Sequence, residues 1–116
     1  MSEAAILQRI RLDLGREPAV KIFRNNVGVL TDARGVPVHF GLHPGSGDLI
    51  GWRKVIITPE MVGQAVAVFL SIEVKTQFAN PRPDQVQWAE VVREAGGLSG
   101  VARSPDQARV IARLTQ

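Results

Sequence analysis

The chain has 116 residues, 45% of them apolar and none of them cysteine, enough for one domain with a core. The missing cysteines exclude a disulfide framework and any thiolate metal site, and the longest apolar run, residues 65–70, is far too short to cross a bilayer. The formal charge of +3 carries eleven arginines and three lysines; arginine's planar fork suits phosphate, yet this excess alone describes a slightly basic surface.

Residues 2–14 read as a helix, with Ser2 as N-cap and Gly15 just past its end. Leu7, Ile10 and Leu14 form its apolar stripe, with Ile6 beside them. Glu3 lies four residues before Leu7, at the start of that stripe, which carries it toward the interior edge; its ordinary alternative is to favour the positive end of the helix dipole. Residues 19–30 read as a strand with an irregularity at Asn25-Asn26, and Asp32-Ala33-Arg34-Gly35 as a turn. Residues 36–42 form a shorter strand that Pro37 pushes toward an edge. A loop follows at His43 to Gly47, and then a strand over 48–57. Thr58-Pro59-Glu60 opens one or two helical turns that Gly63 ends. The nearly continuous apolar stretch 65–75 predicts a strand buried on both faces. After a loop over 77–82, Pro83 opens a helix that runs to about Ala95, where Gly96-Gly97 stops it. A strand over 98–103 and a last helix, capped at Ser104 and ending near Leu114, complete the chain. This order predicts one α/β or α+β domain over 1–116, a mixed sheet with helices packed on it. The first residues carry no basic and apolar leader pattern, so a secretory signal is not expected and an intracellular protein is.

The chemistry concentrates at Glu73-Val74-Lys75. Side chains alternate along a strand, so Ser71, Glu73 and Lys75 share one face while Ile72 and Val74 take the other. Asp48 stands at the start of another strand. A solvated strand ion pair is the ordinary reading of an isolated Glu-x-Lys and is worth little energetically. Here the pair begins where an apolar run ends, and a charged pair held there needs a partner. Two carboxylates and an amine can hold a divalent cation and position a water, and their hard oxygens suit Mg2+ or Mn2+. A metal-dependent nuclease is the leading expectation.

The layout resembles the PD-(D/E)xK nucleases and, among them, the virus-type replication-repair nuclease domain, VRR-NUC. The resemblance covers nearly the whole chain: the Glu3 helix, Phe23-Arg24-Asn25-Asn26-Val27-Gly28, Gly47-Asp48-Leu49-Ile50-Gly51-Trp52, Phe69-Leu70-Ser71-Ile72-Glu73-Val74-Lys75, Gln85, Gly96-Gly97 and Val101-Ala102-Arg103-Ser104. It implies a restriction-endonuclease-like fold, a mixed central sheet flanked by helices. It implies that Asp48, Glu73 and the main-chain carbonyl of Val74 hold the cation and that Lys75 orients or activates the attacking water. Glu3 would be an outer ligand or water holder, and Gln85 would position Lys75 or the water. The length resembles the stand-alone members from bacteriophages and prophages. That implies a homodimer acting on DNA, with four-way junctions or other branched DNA as substrate, in the cytoplasm of a bacterial host. One departure is local: the Ser-Pro-Glu-Gln of the family reads Arg82-Pro83-Asp84-Gln85 here. Arginine cannot cap a helix as serine does, and Gln87 competes for the role of Gln85, although Gln85 shares the stripe of Trp88 and Val92.

Other features weigh less. His39 and His43 straddle a strand end and a proline loop, so they are structural or solvated. The glycines between 41 and 51 lack the ending of a phosphate loop. Trp52 and Trp88 read as core or interface residues before base-stacking platforms. Arg24, Arg34, Arg53, Lys54 and Arg82 are available for phosphate contacts, and Asn25-Asn26 either form a bulge or meet the substrate. A catalytically silent DNA-structure-binding module on the same fold is the rival expectation, and a protein-interaction domain the third.

Overall fold

The structure, a computed structural model, describes residues 2–114; Met1, Thr115 and Gln116, the ends of the expected 1–116 domain, lie outside the described residues. Helices and strands mix, as an α/β class requires. The chain divides into two compact units, Met1–Val55 and Ile56–Gln116.

The first unit holds helix α1 (Glu3–Leu14) and strands β1 (Val20–Arg24), β2 (Gly28–Thr31), β3 (Pro37–Phe40) and β4 (Leu49–Arg53). Ser2 caps α1, its hydroxyl accepting from the Ala5 amide at 3.1 Å, a contact worth about 1 kcal/mol. Gly15 is the C-cap itself, at φ −66°, instead of a left-handed residue beyond it. The expected irregularity at Asn25-Asn26 separates two strands with different partners. β1 runs antiparallel to β4, from Val20 opposite Arg53 to Arg24 opposite Leu49. β2 runs antiparallel to β3, and Asp32 closes the turn between them by accepting from the Arg34 and Val36 amides at 2.8 and 2.9 Å. Gly51 lies so close to the Lys21 carbonyl that no Cβ fits, which lets β1 and β4 close up. Phe23 and Trp52, diagonal neighbours on this ladder, pack with ring centroids 5.8 Å apart.

The second unit holds a 3-10 turn (Pro59–Met61), β5 (Leu70–Val74), α2 (Pro83–Glu94), β6 (Leu98–Ala102) and α3 (Pro105–Ile111). β5 and β6 run parallel, Glu73 opposite Val101 and Val74 opposite Ala102, and α2 supplies the crossover that parallel strands need. α2 and α3 both pack on β6. Val92 of α2 and Ala102 of β6 are the only buried apolar residues among the described residues. Ser104 caps α3 by accepting from the Gln107 amide at 3.2 Å. The helix stops at Ile111, short of the expected Leu114, because Arg113 turns left-handed at φ 63° and the Leu114 amide folds back to the Arg109 carbonyl.

Two expectations change. In place of one mixed sheet, the strands of the described residues pair as three two-stranded ladders. Alternation fixes which residues share a face, but it does not specify which edges meet. The strand expected over 65–75 is only Leu70–Val74, and it is not buried on both faces: Val66, Val68, Leu70 and Val74 are all exposed. An unbroken apolar run marks residues that would gain from burial; it does not supply the layer that covers them. The strands expected over 36–42, 48–57 and 98–103 are shortened to β3, β4 and β6 for the same reason, since the ladder ends where the partner ends. Among the described residues no helix is long and apolar enough to cross a membrane.

Candidate functional site

In the second unit, the alternation of β5 sets Ser71, Glu73 and Lys75 on one face. Ser71 is fixed by Trp88, whose indole N–H donates to the Ser71 hydroxyl at 2.9 Å, while the Trp88 ring meets Phe69 edge-on at 6.2 Å. Lys75 Nζ stands 3.6 Å from Glu73 Oε2, and the lysine side chain is only 17% exposed. A charge-assisted hydrogen bond closes to about 2.7–2.9 Å. The longer separation leaves this pair electrostatically coupled without locking either group to the other, so each can engage a third partner. The Lys75 amide extends the parallel ladder by donating to the Ala102 carbonyl at 3.1 Å.

A groove of about 390 Å3 runs beside this face, lined by Ser71, Glu73, Gln85 and Trp88 with Arg82 and Arg93 among its other walls. Gln85 is half-buried in that wall whereas Gln87 is exposed, which agrees with the stripe argument. Gln85 also answers the missing serine cap. Its side-chain oxygen accepts from the Arg82 amide at 2.8 Å, so the cap at this helix comes from inside the first turn. The cap uses the side-chain oxygen of Gln85 and leaves the N–H donors of its amide nitrogen outside it, a donor type that suits anionic or water oxygens. Asp84 takes an ion pair from Arg82 at 3.1 Å. That hydrogen bond, above all, holds the Asp84 carboxyl below its usual range. A depressed carboxyl stabilises the fold above its unfolded pKa, so this tie at the start of α2 is present at neutral pH and is lost as the pH falls through the folded value.

In the first unit, Asp48 leads directly into β4 and its side chain is exposed. It lines a pocket of about 270 Å3 together with Glu3, Ile6, Leu7, Ile10 and Leu49. Glu3, at the start of the α1 stripe, lines the same pocket as Asp48, although its own side chain is exposed. The sequence-predicted residues fall into two sets: Glu3 with Asp48 on the first unit, and Glu73, Val74, Lys75 and Gln85 on the second. Within neither unit do three His, Asp or Glu side chains converge among the described residues. The donor chemistry nevertheless suits Mg2+, which takes one or two carboxylates and fills its remaining positions with water and phosphate oxygens.

Arg103 acts at this face without having been predicted to. Its Nη1 donates to the carbonyls of both Thr76 and Ala79 at 2.6 Å, gripping the turn that immediately follows Lys75. The pairing spans 27 and 24 residues, and no local pattern announces it. Arg103→Ala is expected to free that turn and reduce any cleavage that depends on Lys75 by up to about a hundredfold. Arg103→Lys, a point charge without the fork, should recover only part of it. Rates measured beside thermal melts check this, and an unaltered rate in folded Arg103→Ala would remove Arg103 from the account.

His43 is held locally, its Nδ1 2.8 Å from the Pro44 carbonyl, and His39 lies on exposed β3 opposite Val29. Both agree with a structural or solvated reading. No known protein family, curated protein or solved structure matches this chain.

Proposed function

We propose that this protein is a metal-dependent deoxyribonuclease of the VRR-NUC type within the PD-(D/E)xK nucleases. The observation that carries the reading is the Glu73–Lys75 pair, 3.6 Å apart and set beside a groove with Gln85 and two arginines. Lys75 is sheltered beyond what an ordinary surface ion pair shows, at 17% exposed beside a Glu73 side chain 38% exposed, and the separation is too long for a locked pair.

Each chain group has a role in this reading. On the second unit, Glu73 and the Val74 carbonyl would hold Mg2+ or Mn2+; on the first, Asp48 with Glu3 beside it supplies the further carboxylate oxygens that the resemblance calls for. When bound, the ion supplies Lewis acidity at the phosphate and lowers the pKa of water at neutral pH. Lys75 orients the attacking water and offsets the negative charge that grows on the phosphate oxygens. The Gln85 amide nitrogen donates to the water or to a phosphate oxygen. Arg82 and Arg93 attract the backbone of the strand along the groove, a contact with no base preference. Water oxygen attacks phosphorus and the ester bond opens, leaving one phosphate end and one hydroxyl end.

The test is cleavage of a panel of plasmid, flap, gapped, single-stranded and four-way-junction DNA by pure protein in Mg2+. Cleavage supports the reading, and branched substrates are expected to be cut in preference. Gel retention without cleavage would instead assign a catalytically silent DNA-structure-binding module. Binding should weaken steeply with salt and vary little with base sequence; salt-insensitive binding would contradict the phosphate contacts.

The reading includes a homodimer. Its support is the β2–β3 hairpin, where Val29, Leu30, Val38 and Phe40 are all exposed, so apolar side chains stand open along both strands. A two-stranded hairpin is marginal in water unless something covers it, and among homo-oligomers the two-fold dimer is the commonest arrangement. Light scattering is expected to give twice 12.6 kDa; the single mass at micromolar concentration would refute the dimer.

A further inference from the structure

We infer that Asn25 is a positioning residue for Asp48, a role that rests on the nuclease reading for its purpose but not for its geometry. Asp48 follows a glycine-rich loop from Leu42 to Gly47, a segment with no regular structure of its own. The Asn25 side chain ties that loop at three points. Its Oδ1 accepts from the Leu42 amide at 3.0 Å. Its Nδ2 donates to Ser46 Oγ and to the Gly47 carbonyl, each at 2.8 Å. Its own backbone N–H donates to the Asp48 carbonyl at 2.8 Å, carrying the β1–β4 register one pair past Arg24 and Leu49.

The arrangement requires asparagine. Both Nδ2 hydrogens and the carbonyl oxygen are used, and only a primary amide offers two donors and an acceptor from one short stem. Aspartate would keep the Leu42 contact but set a lone pair against the Gly47 carbonyl, and glutamine would be a methylene too long. The loop itself is shaped to meet it. Gly41 turns at φ 80° against the Asn26 carbonyl, where no Cβ fits. Gly45 turns at φ 90°, and the Ser46 amide closes on the His43 carbonyl at 2.9 Å. The chain therefore enters β4 with the backbone on both sides of Asp48 held by the one residue that follows β1. The direction in which the Asp48 carboxylate leaves the chain is fixed before any cation arrives. Such outer partners typically shift metal affinity or activity 10- to 100-fold when removed.

The experiment titrates Mg2+ against cleavage by the full chain. Asn25→Ala should raise the half-saturating Mg2+ concentration about tenfold or more, with the rate at saturating Mg2+ and the affinity for DNA changed far less. Simple loss of folded protein would scale the rate and leave that midpoint where it was. Ser46→Ala, which removes a single contact and spares the rest, should shift the midpoint in the same direction by a smaller factor, and it serves if Asn25→Ala does not fold. Asn26→Ala, at the exposed neighbour, should leave it unchanged. An unshifted midpoint in both Asn25→Ala and Ser46→Ala overturns the inference. If the unaltered protein does not cleave DNA, the nuclease reading fails by itself, and amide exchange decides the clamp. The Leu42 amide should then be protected in the unaltered protein and exchange freely in Asn25→Ala. Rapid Leu42 exchange in both overturns the positioning role.

Discussion

Glu73→Ala is expected to reduce Mg2+-dependent DNA cleavage by about a thousandfold or more, and Asp48→Ala and Lys75→Ala by comparable factors. Glu73 is the side chain that the groove, the ion pair and the strand alternation all single out. Removing it leaves Lys75 without its carboxylate and, on the proposed reading, would leave the cation one oxygen ligand short. If the three groups serve one step, the second substitution should cost little once the first has been made, because residues that act together are far from additive. Cleavage rates of the three single and three double variants measure this. Independent, multiplying losses for Asp48 and Glu73 would mean that they do not serve the same step, and full activity in Glu73→Ala would remove the site altogether. DNA binding should survive Lys75→Ala, since the arginines along the groove remain.

Chelation is the second large effect. EDTA should abolish cleavage and leave the melting transition nearly unchanged, with Mg2+ or Mn2+ restoring the rate. The expectation of an intact fold has a structural basis. The buried contacts of the second unit are apolar, Val92 against β6, and the helix starts are capped by Ser2, Gln85 and Ser104 from within the chain. Folding energy of that kind does not depend on an ion, in contrast to small domains whose core is a metal site. Cleavage that persists in chelator would end the cation mechanism. Unfolding in chelator would make the metal structural.

What was legible in the sequence was local. Pro83, Gly96 and the Trp88–Val92 stripe mark α2 because helix signals act within a turn or two. The shared face of Glu73 and Lys75 follows from the two-residue period of a strand, and the break at Asn25-Asn26 from two polar amides interrupting an apolar run. The four-residue spacing from Leu7 puts Glu3 on the apolar stripe of α1, but it says nothing of Asp48, whose pocket Glu3 shares only once the chain has folded. What was not legible depends on partners far along the chain. Nothing near residue 65 states that the ladder begins only at Leu70, because that is decided by where β6 lies. The two carbonyls gripped by Arg103 and the three contacts made by Asn25 are matters of rotamer and approach, to which a pattern of residue types is blind. The cap at α2 falls between these cases: the loss of serine was visible, but its replacement by the Gln85 side chain required the turn to be formed first.

The ladder of β5 has a consequence for handling the protein. Among the described residues β5 pairs only with β6, and its Leu70 and Val74 are exposed. A half-paired strand with apolar side chains is a template on which another chain can crystallise into a growing sheet. The charges of Glu73 and Lys75 interrupt that template, so the residues assigned to chemistry also act as gatekeepers against self-assembly. Alanine at both positions erases the safeguard and lengthens the apolar track. Activity lost in such a variant has two sources, a missing reaction group and a chain diverted into aggregates. Glu73→Gln and Lys75→Met keep shape while differing in how much polarity they retain, and rates normalised to monodisperse protein separate the chemistry from the colloid.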